Sequence, residues 1–273
     1  MKRAAILLLL LLAGCGRKED AAWLGYVEGE AAFIAAPQAG WLARVAIHRG
    51  DAVKAGDLLF TLDDTSQASA RDQANAAIAL AESQRVAALA NLALTQKELV
   101  RQSNLLAEKA GTRQAYDVAK AAYDSAAAQV AQIDAQIAQA RAALTGAAYQ
   151  LSERDVVART TGRVEDVFFR AGEYAPAMTP VVSVLPPENI YVRFFVPESQ
   201  FAHVKLGQRV AISCDGCAAG LTATVSFIAS QEEFTPPVIF SIGSREKLVF
   251  KIEARTPGGL RLNPGQPVDV RPL

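Results

Sequence analysis

A long tract without helix-breaking residues constrains this chain more than any other feature. Between Pro37 and Pro176 there is no proline, and between Gly56 and Gly146 the only glycine is Gly111. Proline and glycine are the strongest helix breakers, so a single breaker inside such a tract marks one turn between two helices. The sequence therefore predicts two long helices that fold back on each other at Gly111.

The second predicted helix carries a seven-residue repeat of apolar and small side chains, which is typical of a coiled coil. Arms of roughly 40 residues would each reach about 60 Å, because an α-helix rises ~1.5 Å per residue. Such a projection suits a spacer or a reaching device, although half of an ordinary helical bundle is the alternative. The repeat rows are Tyr116, Tyr123, Val130, Ile137, Leu144, Leu151 and Ala119, Ala126, Ile133, Ala140, Ala147; in the first helix they are Ile78, Leu92, Leu99, Leu106, interrupted by Arg85, and Ala81, Ala88, Thr95, Gln102.

The N-terminus has the pattern of a targeting segment. Lys2 and Arg3 precede an apolar run over residues 4–12, which is too short to span a bilayer as a stable helix. The following Leu-Ala-Gly-Cys resembles the lipobox of bacterial lipoproteins, which implies cleavage before Cys15 and acylation of its thiol. Residues 16–22 would then form a short tether. An ordinary secretion signal or an uncleaved anchor is the alternative.

This targeting segment predicts a periplasmic, lipid-anchored protein. No later segment has the ~18 consecutive apolar residues that a membrane helix needs, so the lipid on Cys15 would be the only membrane attachment. Gly16 stands where many such lipoproteins carry an aspartate that signals retention in the inner membrane. The choice of membrane therefore stays open.

Two copies of one strand-turn-strand unit flank the helical tract. The first runs over residues 36–63 and the second over 158–184, and Gly40 and Gly50 align with Gly162 and Gly172 at one fixed offset. Neither copy has enough apolar surface for a stable core of its own. We expect both to build one small β-sandwich, with the helical hairpin as an insertion. Asp64, followed by Gln67, is the predicted cap of the first helix.

The remainder of the chain predicts an antiparallel β-barrel. Short alternating runs separated by turn residues follow residue 188, and the strand over 23–33 can join them. The run over 231–245 contains Pro236 and Pro237, so we expect a loop there. The predicted strands are Ile190–Val196, Arg209–Ser213, Leu221–Ser230, Leu248–Ala254 and Pro267–Val270.

Cys214 and Cys217 are the two cysteines that remain beside Cys15. A pair in an oxidising compartment predicts a disulfide, here closing a tight Asp-Gly turn between strands. A redox motif normally opens a helix beside a βαβ unit, and these residues lie among predicted strands. Redox and metal sites remain the alternatives to a structural disulfide.

The sequence contains no recognisable catalytic set. His48 and His203 are the only histidines, and His48 lies in a glycine-bounded turn where we expect a surface residue. Nucleophile elbows, phosphate-binding glycine loops and zinc-protease motifs are absent from the sequence. With a net charge of +0, no basic patch favours nucleic acid. We therefore expect a protein that is not an enzyme and that holds no cofactor or metal.

The order of these segments resembles the haemolysin-D-type periplasmic adaptor, or membrane fusion, proteins. The resemblance implies an α+β protein in which a coiled-coil hairpin (64–151) is inserted into a split lipoyl-like sandwich (34–63 and 154–185). A β-barrel (23–33 and 186–273) would follow, with a signal peptide and lipobox over 1–15. The segments 214–217 and 234–241 further resemble adaptors of ABC-type exporters. Because the sequence ends soon after the last predicted strand, we expect a membrane-proximal domain to be minimal or missing.

Membership would imply a role in a tripartite efflux or secretion system. Such adaptors link an inner-membrane transporter to an outer-membrane channel, and they assemble as a ring, here expected to have six copies. In the family an arginine, a leucine and a serine at the hairpin tip dock onto the channel; Arg101, Leu105 and Thr112 match their spacing. The alternatives are a solvated arginine, a seam leucine and a helix-capping threonine. The alternative function is a structural envelope lipoprotein with a coiled-coil spacer.

A carrier domain for lipoate or biotin is the other protein class with this kind of sandwich. Carrier domains present a modified lysine at the turn between their two halves. Here the helical hairpin replaces that turn, and the exit at residues 62–64 reads Leu-Asp-Asp without a lysine. We therefore expect no covalently bound cofactor.

Overall fold

The computed structural model describes residues 22–234 and 248–273. The predicted targeting segment with Cys15 lies outside the described residues, as does most of the loop predicted over 231–245. In chain order the strands are β1 (Trp23–Gly29), β2 (Ala32–Ala35), β3 (Gly40–Val45), β4 (Ala52–Val53), β5 (Leu58–Leu62), β6 (Asp155–Val157), β7 (Gly162–Val167), β8 (Tyr174–Ala175), β9 (Pro180–Leu185), β10 (Ile190–Pro197), β11 (Arg209–Ser213), β12 (Leu221–Phe234), β13 (Leu248–Arg255) and β14 (Pro267–Pro272). The helices are α1 (Thr65–Ala107), α2 (Arg113–Ser152) and the short α3 (Glu198–Phe201), besides a 3-10 turn at Pro187–Asn189.

The two repeated segments interleave into one two-layer sandwich, as the repeat predicts. One four-stranded sheet has the order β2-β9-β7-β4 and the other β6-β5-β3-β8, so each sheet takes two strands from each half of the sandwich, residues 32–62 and 155–185, which extend the two copies by one strand each. Both sheets contribute to one apolar core, in which Leu42, Phe60 and Val164 are fully enclosed. Because every strand of one half pairs with a strand of the other half, neither half can form the core alone.

The aligned glycines occupy equivalent places in the two halves. The Gly50 amide donates to the carbonyl of Val164 at 2.8 Å, and the Gly172 amide donates to the carbonyl of Leu42 at 2.7 Å. Both glycines have positive φ, +94° and +88°, which a residue with a side chain adopts only with strain. The repeat in the sequence is therefore a repeat of backbone geometry, with the same turn in each half.

The helical hairpin leaves the sandwich between two paired strands. It connects β5 to β6, which are antiparallel neighbours in one sheet. In the other sheet the equivalent neighbours are β9 and β2, and these are the strands that lead to and from the remaining β-strands of the chain. The sandwich thus has two equivalent exits, with the rod at one and the second β module at the other.

The two helices of the hairpin pack along the predicted repeat rows, which together form the seam between α1 and α2. Ala119, Ala126, Ile133 and Ile137 are the buried residues of α2, and all four belong to the predicted rows. Every other position of the predicted rows in both helices is at least half-buried. The seven-residue pattern therefore locates the contact between the helices correctly.

Two ion pairs between the helices fix their relative register. Arg85, which interrupts the apolar row of α1, donates from Nε to the Oδ1 atom of Asp134 at 2.5 Å. Arg141 on α2 donates to Glu82 at 3.0 Å. A seam arginine is thereby accommodated at the edge of the contact, where its charge has a partner and water.

The cap of α1 differs from the prediction by one residue. Asp64 makes no side-chain hydrogen bond to the helix, so the predicted pairing with Gln67 is wrong. Asp63 instead accepts from the backbone amide of Thr65 at 3.0 Å and from its hydroxyl at 2.7 Å. These hydrogen bonds hold the pKa of Asp63 below its ordinary value of 3.8, because they stabilise the carboxylate form.

Replacing Asp63 with alanine is expected to lower the midpoint of thermal unfolding of the helices, whereas Asp64→Ala leaves it unchanged. The depressed pKa means that the stabilisation by Asp63 is present above its unfolded-state pKa and is lost as the pH falls through its folded-state pKa. Circular dichroism melts at 222 nm, at neutral pH and at a pH below that pKa, would check this. Equal melting of both variants at neutral pH would contradict the assignment.

The remaining strands form a second β module. Its six strands are antiparallel and pair in the closed order β1-β10-β13-β12-β11-β14, with β14 pairing back onto β1. The core of this module includes Phe194, Ile252 and Val27. β12 continues to Phe234, so the structure extends a strand into the beginning of the predicted loop.

The boundary between the β modules lies earlier than residue 33. β1 ends at Gly29, and Ala32 and Phe33 pair with Val184 and Ser183 of the sandwich. Leu185, at the end of β9, reaches back into the core of the six-stranded module. The predicted assignment of residues 32 and 33 to the barrel strand is therefore wrong, because a single alternating run in the sequence is broken at residues 30–31 into strands of two modules.

Candidate functional site

The tip of the hairpin is a tight turn of five residues between α1 and α2. The last carbonyls of α1 are satisfied locally, since the amides of Ala110 and Gly111 both donate to the carbonyl of Leu105, at 2.9 and 3.0 Å. Lys109 adopts a left-handed conformation with φ of 60°. A Cβ atom on Gly111 would lie 3.1 Å from Cβ of Leu105, so the turn favours glycine at this position.

The three residues that match the docking motif of the adaptor family all lie at this end of the rod. Leu105 is half-buried in the last turn of α1 and Arg101 is exposed one turn earlier. Arg101 pairs with Glu98, which also accepts from Gln102 at 2.9 Å. The geometry presents Arg101 to solvent, while Leu105 lies beneath the turn.

Thr112 caps the N-terminus of α2, as its position immediately before the helix allows. Its hydroxyl oxygen accepts from the amide of Ala115 at 3.1 Å and so caps α2. The hydroxyl hydrogen is not used in that bond, so the same group retains a donor. The capping interpretation is confirmed, and a docking role for Thr112 stays a prediction.

Cys214 and Cys217 form a disulfide at the end of β11, with their Cα atoms 5.3 Å apart. The side-chain amide of Gln266, just before β14, donates toward both sulfur atoms, at 3.4 and 3.5 Å. The link joins two residues within one turn of the second β module. The neighbouring amide and the strands on both sides indicate a disulfide that stabilises this turn.

An ion-pair cluster lies on the surface of the second β module. Arg193 bridges Glu28 at 2.6 Å and Glu253 at 2.8 Å, linking the three strands β1, β10 and β13. The hydroxyl of Tyr191 donates to Glu28 at 2.6 Å. Burial and this bond to a carboxylate raise the pKa of Tyr191, since the neutral phenol is the donor. Each member has a partner, which is the arrangement of a structural network.

The histidines do not lie in a catalytic arrangement. The side chain of His48 is 89% exposed, and its Nδ1 atom is 3.6 Å from Asp51. His203 is also exposed. Within residues 22–234 and 248–273 no group of three or more histidine, cysteine or acidic side chains converges as a metal site would require. In that same part of the chain, no helix has the length and apolarity to cross a membrane.

Two exposed aromatic pairs on the sandwich are features that the sequence interpretation missed. Trp41 and Tyr174 meet edge to face with ring centres 5.4 Å apart, and Phe33 stacks near Phe168 at 6.3 Å. Each pair joins residues of the two different halves of the sandwich. Only the strand pairing brings them together, so the sequence pattern alone held no signal for them.

Comparison with curated proteins finds relatives of moderate similarity. The fatty acid resistance protein FarA of Neisseria gonorrhoeae is 28% identical over 225 residues, which cover 70% of this chain and 57% of FarA. A UPF0194 membrane protein of Acidithiobacillus ferridurans is 30% identical over 133 residues, covering 48% of this chain and 39% of that protein. The chain thus spans less than two thirds of these relatives. No family model matches the chain.

Solved structures match over nearly the whole chain. MacA from Actinobacillus actinomycetemcomitans superposes with a TM-score of 0.69 at 20% identity, covering 92% of this chain and 76% of MacA. The membrane fusion protein Spr0693 from Streptococcus pneumoniae R6 superposes with a TM-score of 0.56 at 19% identity, covering 93% of this chain and 99% of Spr0693. The protein therefore has the fold of the membrane fusion, or periplasmic adaptor, proteins, as its sequence resemblance implies.

Proposed function

We propose that this protein is a periplasmic adaptor that links an inner-membrane exporter to an outer-membrane channel. The observation that carries the proposal is the rod itself. α1 and α2 have 43 and 40 residues, which gives a reach of about 60 Å from the sandwich. The rod leaves the sandwich between its two halves, and the fold is shared with a membrane fusion protein of known structure. A rod of that length is suited to a protein that bridges two partners.

We infer the finer assignments from the family resemblance. The sandwich corresponds to the split lipoyl-like domain and the six-stranded module to the β-barrel. The rod would reach the channel through Arg101, Leu105 and Thr112 at its tip. The lipid on Cys15 would hold the chain at a membrane, with the inner membrane favoured by function. The disulfide between Cys214 and Cys217 would brace the β-barrel.

The partner assignments are also part of this proposal. An ABC-type exporter is the favoured transporter, because the segments 214–217 and 234–241 resemble adaptors of that class. A ring of six copies follows by analogy, since a conduit needs closed symmetry. The energy for transport would come from the exporter. No residue of this chain is assigned a catalytic role.

An export assay in a deletion strain tests the role. The gene would be removed from the host, and accumulation of a fluorescent dye and survival in fatty acids would be measured. The fatty acids are included because the relative FarA is named for resistance to them. We expect higher accumulation or lower survival, restored by the wild-type gene. Weakened envelope integrity with unchanged export would instead favour the structural lipoprotein.

Crosslinking in living cells tests the partner. A photoreactive amino acid at position 105 would be activated by light, and the attached protein identified by mass spectrometry. We expect an outer-membrane channel protein. The same probe at the exposed position 132, far down the rod, serves as the control. Recovery of the channel from position 132 but not from position 105 would contradict the proposed orientation.

A further inference from the structure

An open groove runs along one side of the sandwich, between the edges of its two sheets. β2 is the last strand of one sheet and β6 is the last strand of the other. Residues of both strands line the groove, which has a volume of about 800 Å³. Within the described part of the chain each strand pairs on one side only, β2 with β9 and β6 with β5. The other side of each strand presents backbone amide and carbonyl groups that can pair with a further strand.

The width of the groove suits one added strand. Stacked β-sheets lie about 10 Å apart, whereas two paired strands lie about 4.7–4.9 Å apart. A strand placed midway between β2 and β6 would therefore be at pairing distance from both edges. Addition of an extended segment to a free sheet edge is a common way in which proteins bind peptides.

The walls of the groove are mainly apolar. Phe33 on β2 and Val157 on β6 are 65% and 40% exposed, while their neighbours Ile34 and Val156 are buried. Met178 lies at the same groove and is also exposed. Because burial of apolar surface is favourable, these walls favour a ligand that carries apolar side chains.

Opposite charges lie at the two ends of β6. Glu153 and Asp155 stand at its beginning, and Arg159 stands two residues beyond its end. Asp155 and Arg159 are exposed and Glu153 is half-buried, so a ligand can reach all three charges. Four residues of extended chain separate Asp155 from Arg159, a distance of about 13 Å. The free amine and the free carboxylate of an extended four-residue peptide are about equally far apart, since each residue adds about 3.3 Å.

We propose that this groove binds a short apolar peptide in an extended conformation. The amine of the peptide lies beside Glu153 and Asp155, and its carboxylate lies beside Arg159. Its backbone pairs with β2 and β6, and its side chains pack on Phe33 and Val157. The charges set the direction of the peptide, and the distance between them favours about four residues. The inference does not rest on the export role, because binding to the purified protein needs no transporter.

Calorimetric titration with the tetrapeptide Ala-Val-Ala-Val tests the site. The full-length protein would be purified in lipid nanodiscs, and empty nanodiscs would give the signal from peptide that enters the lipid. We expect saturable binding of one peptide per chain. The same peptide with an acetylated amine and an amidated carboxylate keeps its side chains and lacks both charges. Its dissociation constant should be at least about fivefold higher, because two charge pairs are lost.

Backbone pairing has a separate test. Each internal amide of a strand between two edges points to one edge or the other. A peptide that is N-methylated at one internal amide loses that donor and places a methyl group against the edge. We therefore expect no saturable binding of this peptide, although its charges and side chains are retained. Equal binding of the methylated and unmethylated peptides would contradict pairing with β2 and β6.

A matched pair of charge reversals tests the position. Arg159→Glu should raise the dissociation constant of the free tetrapeptide at least about fivefold. Arg44→Glu makes the same change at an exposed position of the sandwich outside the groove and should leave the binding unchanged. Equal effects of the two variants, equal affinity for the free and the capped peptide, or no saturable binding to the wild-type protein would overturn the inference. So would a dimer, seen by light scattering, that dissociates in Arg159→Glu, because a second copy would then occupy the groove.

Discussion

Replacing Ile133 with glutamate is expected to cause the largest loss of stability in the helical rod. Ile133 is 4% exposed and packs with Ile137 and Ala81 in the apolar cluster between the helices. The new carboxylate would lie in this contact without a partner, which costs about 3 kcal/mol or more in the free energy of unfolding. Circular dichroism at 222 nm would measure the melting of the helices.

The neighbouring residue supplies a matched control for Ile133→Glu. Gln132 is exposed on the same helix. Gln132→Glu introduces the same side chain one position earlier, where water solvates it, so we expect the melting midpoint to stay within a degree or two of the wild type. The β modules have their own cores and should keep their near-ultraviolet signals in both variants. If both variants melted alike, the packed seam would not be what holds the rod together.

The seam was predictable because the residues of a helix–helix contact recur at a fixed spacing along the sequence. The period of the apolar side chains follows from helix geometry alone, so Ile133 and Ile137 could be assigned to the contact without knowing the partner. The repeat over Gly50 and Gly172 was predictable for a similar reason, since equal turns need equal residues. In both cases a short-range pattern determines the structure.

The features that sequence reasoning missed depend on residues far apart in the chain. Arg85 looked like an intrusion because nothing nearby in the sequence identifies Asp134 as its partner. The exposed pair Trp41 and Tyr174 arises only when strands of the two copies become neighbours. The shift of the cap from Asp64 to Asp63 depends on the direction in which the chain leaves β5. Long-range pairing and exact chain direction are results of packing, not of local pattern.

The candidate site falls between these two cases. The spacing of Arg101, Leu105 and Thr112 around Gly111 places them at the turn, and the structure has them at that end of the rod. Whether this tip binds a channel depends on a second protein, which is not part of this chain. Its position was therefore predictable from the sequence, whereas its role requires an experiment that includes the partner.

Replacing Arg101 with glutamate is expected to abolish export while leaving the fold intact. Among the described residues the exposed guanidinium pairs only with the surface residue Glu98, and such surface pairs contribute about 0–1 kcal/mol to stability. A central arginine of an interface typically contributes about 2 kcal/mol or more, so affinity for the channel should fall roughly thirtyfold. The export assay and a thermal melt of the purified variant would be compared. Lys97→Glu, one turn lower, makes the same charge reversal outside the docking motif and should retain export.

Thr112 separates a docking role from a capping role. Aspartate is a good helix cap whose carboxylate accepts hydrogen bonds but donates none, whereas serine keeps both the cap and the hydroxyl. Thr112→Asp should therefore keep the melting midpoint and lose export, and Thr112→Ser should retain both properties. Because the hydroxyl oxygen already accepts from Ala115, only its hydrogen remains for a partner, and a loss of export in Thr112→Asp with normal export in Thr112→Ser would indicate that this donor is used. Normal export by both Thr112→Asp and Arg101→Glu would reduce Thr112 to a helix cap and move the contact with the channel away from the tip.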